Sequence, residues 1–181
     1  MLNPPFSSIS PAEPEDPDYL FQTSLEALSS LPFVMEEADK LECMKDFAPD
    51  EATRAQMTCL ELIRLTAVLD KNISAWLDDM KQVTTASVRS KAIPMANSGN
   101  APFPSYWLHY NSDIDSFLWT MYWSLTLQLH QVIKKLQSRY AILVAELRDS
   151  AVSLPQDLAN LGGDDDTLDQ YVENICASLS P

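Results

Sequence analysis

His109 and His130 are the only imidazoles in the chain, and imidazole is the side chain best suited to move a proton near neutral pH. Neither lies in an H-E-x-x-H pattern or in an i, i+4 pair with another metal ligand, so no zinc site is expected. His109 stands in Trp107-Leu108-His109-Tyr110, just ahead of a helical pattern. A general base could act there, but no nucleophile accompanies it. His130 falls inside a long helical pattern beside Leu129, where a packing hydrogen bond is its expected role. Aromatic residues crowd the same region: Phe103, Tyr106, Trp107, Tyr110, Phe117, Trp119, Tyr122 and Trp123. Such a group at a loop–helix junction could line an apolar ligand pocket, although packing is its commoner use. The candidate pocket residues are Tyr106, Trp107, His109, Tyr110, Trp119, Trp123 and His130.

The remaining reactive types offer less. Asp164-Asp165-Asp166…Asp169 has the density of a calcium loop. An EF-hand loop beginning at Asp164 would need Gly at position 6 and Glu at position 12, where Asp169 and Ile175 stand. The acids instead suit a helix start, where carboxylates oppose the helix dipole. Cys43, Cys59 and Cys176 are odd in number and far apart. They form no C-x-x-C and read as reduced thiols of an intracellular chain, in nucleus or cytoplasm. With Gly only at positions 99, 162 and 163, no phosphate loop, dinucleotide fingerprint or nucleophile elbow is present. No metal, cofactor or catalytic set is therefore expected. The sequon Asn72-Ile73-Ser74 sits within a helical pattern and is read as chance.

Charge narrows the partners. The net charge is −14 over 181 residues. Nucleic-acid binding works through Lys and Arg neutralising phosphates, and an anionic membrane surface selects the same residues, so neither is expected as a direct partner. Met1-Leu2-Asn3-Pro4-Pro5-Phe6 has no basic and apolar signal-peptide organisation, so secretion is not expected. No apolar run approaches the roughly 18 residues of a membrane span.

The elements that must position these residues are helical. Residues 1–17 carry five of the twelve Pro and read as a disordered acidic leader, with residues 18–181 forming one all-α domain. Short helices are expected over 18–30, ended by Pro32, and over 35–46. A long helix over 50–82 has Met57, Leu60, Ile63, Ala67, Val68, Ile73, Trp76, Leu77 and Met80 at helical spacing. Residues 84–111 form a long Pro-rich loop. Ser112 or Asp113 caps a second long helix over 112–150. Its stripe runs from Ile114, Phe117, Leu118 and Met121 to Leu147, and Trp119, Trp123 and Leu127 form a second face. Gly162-Gly163 stops a helix and the acids start the last one, Thr167 to Leu179, with Leu168, Tyr171, Val172 and Ile175 inward. The two long helices should run antiparallel as the spine of a bundle, with the shorter helices packed on them.

Three stretches carry a resemblance. They are Leu69…Ile73-Ser74-Ala75-Trp76-Leu77; Tyr106-Trp107-Leu108-His109-Tyr110-Asn111-Ser112-Asp113 leading into a Trp/Tyr-rich helix; and Asn174-Ile175-Cys176-Ala177-Ser178-Leu179-Ser180-Pro181. Together they resemble the C-terminal regulatory region of fungal zinc-cluster transcription factors, and the last is similar to that family's "ICASVP"-type string. The likeness covers about residues 50–181. It implies a non-enzymatic regulatory and interaction module. The family's zinc-binding cluster of six cysteines, which reads DNA, has no counterpart here, so the resemblance implies no direct promoter recognition. The chain also ends within the string, where the family's chains continue, which reads as a larger domain cut short with apolar surface exposed beside residues 167–181. The partners it leaves open are a protein or a second copy of the chain, with a small apolar ligand near the aromatic loop. The competing expectation is a small helical carrier or enzyme with its pocket at the aromatic and histidine residues.

Overall fold

A computed structural model describes residues 17–44, 48–83, 89–91, 107–147 and 153–178. The described residues form an all-α bundle of five helices. They are α1 (Pro17–Cys43), α2 (Pro49–Val83), α3 (Asp113–Glu146), α4 (Gln156–Ala159) and α5 (Asp165–Ser178). The residue pairs joining α2 and α3 fix their direction: Cys59 meets Leu136, Asp70 meets His130 and Trp76 meets Tyr122. One number rises as the other falls, so the spine is antiparallel. By the same test α1 lies parallel to α3, since Lys135 bonds Asp39 and Arg139 bonds the carbonyl of Met44.

The core follows from helical period. On α2 the buried residues are Ala52, Ala55, Cys59, Leu62, Ile63, Thr66, Leu69, Ile73, Trp76 and Met80, an i, i+3, i+4 stripe along the whole helix. On α3 the stripe is Leu118, Tyr122, Leu125, Leu129, Val132, Ile133, Leu136, Tyr140 and Leu143. Thr66 and Thr126 are buried within these stripes because each hydroxyl donates back to a carbonyl of its own helix, that of Ile63 or Tyr122. Capping is by local side chains. Ser112 accepts from the Asp115 N–H at α3, and Asp164 accepts from the Thr167 N–H at α5, each satisfying a donor the helix leaves open.

Several expectations are corrected. The two short N-terminal helices are one: α1 passes through Pro32. Proline inside a helix costs about 3 kcal/mol, but Leu31, Val34, Ala38 and Leu41 continue one buried stripe across it, and that burial holds the helix together. Pro17, assigned to the leader, is its first residue, and the rest of the leader lies outside the described residues. Within the stretch read as loop, β1 (Arg89–Lys91) pairs antiparallel with β2 (Trp107–His109), with Ser90 opposite Leu108. The alternation of strand side chains turns Leu108 into the core. The Pro94–Pro104 stretch lies outside the described residues, as do 148–150, read as the end of α3, and 179–181. The short helix α4 was not anticipated. Ile114, expected in the core, is 55% exposed. The pairing of Trp76 with Tyr122 sets the end of α2, Val83, near residue 115, so Ile114 projects past its neighbour. Phe117, Met57, Val68 and Val172 are also exposed.

Candidate functional site

The polar residues that converge lie where α2, α3 and α5 meet. His130 reaches there from the middle of α3 and is only 7% exposed. Its Nε2 lies 3.1 Å from Asp70 Oδ1 on α2. A carboxylate can only accept, so Nε2 donates, and in the neutral tautomer that this bond fixes the lone pair lies at Nδ1. That atom is buried and has no hydrogen-bond partner among the described residues. Buried nitrogens are rarely left so.

The turn between α4 and α5 passes directly over this ring. Gly162 and Gly163 have φ of +93° and +61°, a conformation that glycine adopts freely and L side chains resist. A Cβ on Gly163 would stand 3.3 Å from His130 Nδ1, and one on Gly162 would stand 3.1 Å from Ile133 Cγ2. The turn is held from below, since the Gln137 amide donates to the carbonyls of Leu158 and Leu161. Lys134 binds Asp165 at the start of α5.

Aromatic rings complete one wall. Tyr171 of α5 lies 6.1 Å from the His130 ring and 6.3 Å, edge on, from Tyr122. Tyr122 in turn meets Trp76 and Trp119, and Trp119 meets Trp123. Burial, with Tyr171 beside it, pushes the Tyr122 phenol above its ordinary value, so it remains a neutral hydroxyl. The walls enclose a half-open cleft of about 210 Å³. Asp70, Ser74, Tyr122, Thr126, His130 and Tyr171 line it, together with the 160–163 turn.

Of the residues expected to form a pocket, His130 lines this cleft. Trp119 and Trp123 stand on the same face of α3 but pack against Tyr122 and each other, outside the lining. Tyr110 lies at the far end of α5, where its hydroxyl is 2.5 Å from Ser178 Oγ. Ser178 donates to the carbonyl of Asn174, so the tyrosine is the donor. For Trp107 and His109 the described part is the strand backbone, and Tyr106 lies outside it. Asp70 was not singled out from sequence, and Tyr171 and the glycine pair were read only as a core residue and a helix stop. The pair Asp70 and His130 is sixty residues apart, and no local spacing links them.

A second feature faces away from the core. Met57, Leu65 and Val68 fall on the outer side of α2, at i, i+8 and i+11, and are 61%, 37% and 55% exposed. Arg54, Arg64 and Lys71 are exposed around them, with Glu61 between.

Among the described residues no group of three or more His, Cys, Asp or Glu could hold a metal, and no helix is long and apolar enough to cross a membrane. No family model matches the chain, and no curated protein or solved structure matches it significantly.

Proposed function

We propose that the chain is a non-enzymatic regulatory module, nuclear or cytoplasmic, that works by docking a partner protein on the outer face of α2. The observation that carries this reading is the Met57, Leu65 and Val68 stripe. Soluble proteins scatter exposed apolar side chains singly, whereas helix-in-groove recognition uses anchors at helical spacing on one face. The partner's chemistry follows from the rim. Arg54, Arg64 and Lys71 flank the stripe in a chain whose net charge is −14, so an acidic amphipathic helix is the complementary occupant. The likeness of residues 50–181 to the regulatory region of fungal zinc-cluster transcription factors supports a regulatory role.

The test is fluorescence anisotropy with a labelled amphipathic peptide bearing Leu at i, i+3, i+7 and Glu elsewhere, alongside light scattering of the full chain. The expected result is a monomer that binds this peptide, with at least tenfold loss in Met57→Glu/Val68→Asp and little change when Ile142, exposed on α3, becomes Glu. Equal binding by the double variant and the wild type would sink the proposal. So would a dimer dissociated by the same double variant, because the face would then serve self-association.

A further inference from the structure

We propose that the cleft between α2, α3 and α5 binds a small organic cation carrying N–H donors, of the primary amine or diamine class. The lining groups ask for such a ligand. Asp70 is the one formally charged side chain among them and can only accept. Its bond to His130 Nε2 leaves further lone pairs. His130 Nδ1 offers a lone pair with no protein donor to meet it. Thr126 has already donated its proton to the Tyr122 carbonyl, at 2.9 Å, so it too has only lone pairs left. Ser74 adds a hydroxyl oxygen able to accept, and the Tyr122 hydroxyl, which bonds the side chains of Tyr171 and Thr126, ties the remaining oxygens into one network. The site is rich in acceptors and bears one negative charge, with the Asn160 amide the side-chain group in the lining that brings N–H donors of its own.

Anions are disfavoured by Asp70 and by the field of a chain at −14. A neutral polyol could meet the acceptors but would leave the carboxylate without a counter-charge. Size sets the upper limit. About 210 Å³ lies below the roughly 300–1,000 Å³ of sites that take drug-sized ligands, and suits a diamine of a few carbons. Nδ1 is buried beneath the turn, and any side chain at Gly163 would press on it at 3.3 Å.

Calorimetric titration of the full chain with 1,4-diaminobutane in 0.15 M salt tests the proposal, with glycerol and acetate as neutral and anionic probes. Long-range proton–nitrogen spectra follow His130 Nδ1, assigned with a His109→Gln variant. The diamine is expected to bind and to move the Nδ1 resonance, while glycerol and acetate do neither. Asp70→Asn, which still accepts from Nε2 but lacks the charge, should weaken binding at least tenfold. Gly163→Ala should do the same by pressing on Nδ1, and Asp78→Asn, an exposed acid on the same helix, should leave it unchanged. Absence of diamine binding overturns the proposal, as does equal binding by Asp70→Asn or an unmoved Nδ1 resonance, either of which would mark general attraction to an acidic surface. Should Gly163→Ala unfold, as circular dichroism would show, Asp70→Asn decides the matter.

Discussion

Alanine at Gly162 should cost far more stability than alanine at Gly163, although the two residues are adjacent. At Gly162 two penalties add. Its φ of +93° lies outside the left-handed well near +57° that other residues occasionally visit, and a left-handed L residue costs about 1–2 kcal/mol. Its Cβ would also press on Ile133 Cγ2 at 3.1 Å and Cβ at 3.5 Å. Ile133 is fully buried and cannot swing aside, and overfilling a packed core costs about 1–3 kcal/mol. The sum is roughly 2–5 kcal/mol. At Gly163 φ is +61° and the residue is exposed, so a new Cβ, although 3.3 Å from His130 Nδ1, can ease toward solvent, and the backbone term of about 1–2 kcal/mol dominates. Urea denaturation of both variants reads the difference. A third variant separates the terms: in an Ile133→Ala background the methyl is gone, and Gly162→Ala should lose its steric part, leaving about 1–2 kcal/mol. If Gly162→Ala costs no more than Gly163→Ala, or if Ile133→Ala gives no relief, the turn does not lie against α3 as described.

Two further perturbations test the core. Pro32→Ala should raise the melting temperature and stabilise the chain by about 1–3 kcal/mol in thermal and urea unfolding, because it restores a helix hydrogen bond within α1; a lower melting temperature would mean that Pro32 terminates a helix after all. Burial pushes the Cys59 thiol from 9.0 up to about 11, and a raised folded value stabilises below the ordinary one and is lost as pH rises through the raised one, so the advantage of wild type over Cys59→Ala should shrink between pH 9 and 11 in urea titrations, and parallel curves would refute it.

The spine of the fold was legible because its signals are local and repeated. Met80, Trp76, Ile73 and Leu69 each name the same face of α2, and a run of such agreements survives any single exception. The cap was readable to within one residue, as Ser112 or Asp113, for the same reason, since the bond from Ser112 reaches only to Asp115. The errors fall where a tertiary term overrode a local one. Pro32 is a strong local stop, and the buried residues Leu31, Val34, Ala38 and Leu41 that span it outweigh the stop. Ile114 obeys the core period but lies beyond the end of α2, and no periodicity records where a neighbouring helix ends.

The cleft was hidden for a different reason. Its chemistry depends on which lone pairs remain unused, and that is a property of pairs across the fold. His130 looked like a packing histidine, and half of it is one, since Nε2 is satisfied by Asp70. The other nitrogen becomes a binding group only because Gly163 brings no side chain over it. Gly162-Gly163 was read as a helix stop, yet α4 already ends at its C-cap Asn160, two residues before Gly162, and the pair instead supplies the positive φ angles of the turn. The glycine pair was the available signal. Glycine also marks a place where backbone can pass close to something else, and here that is the imidazole edge.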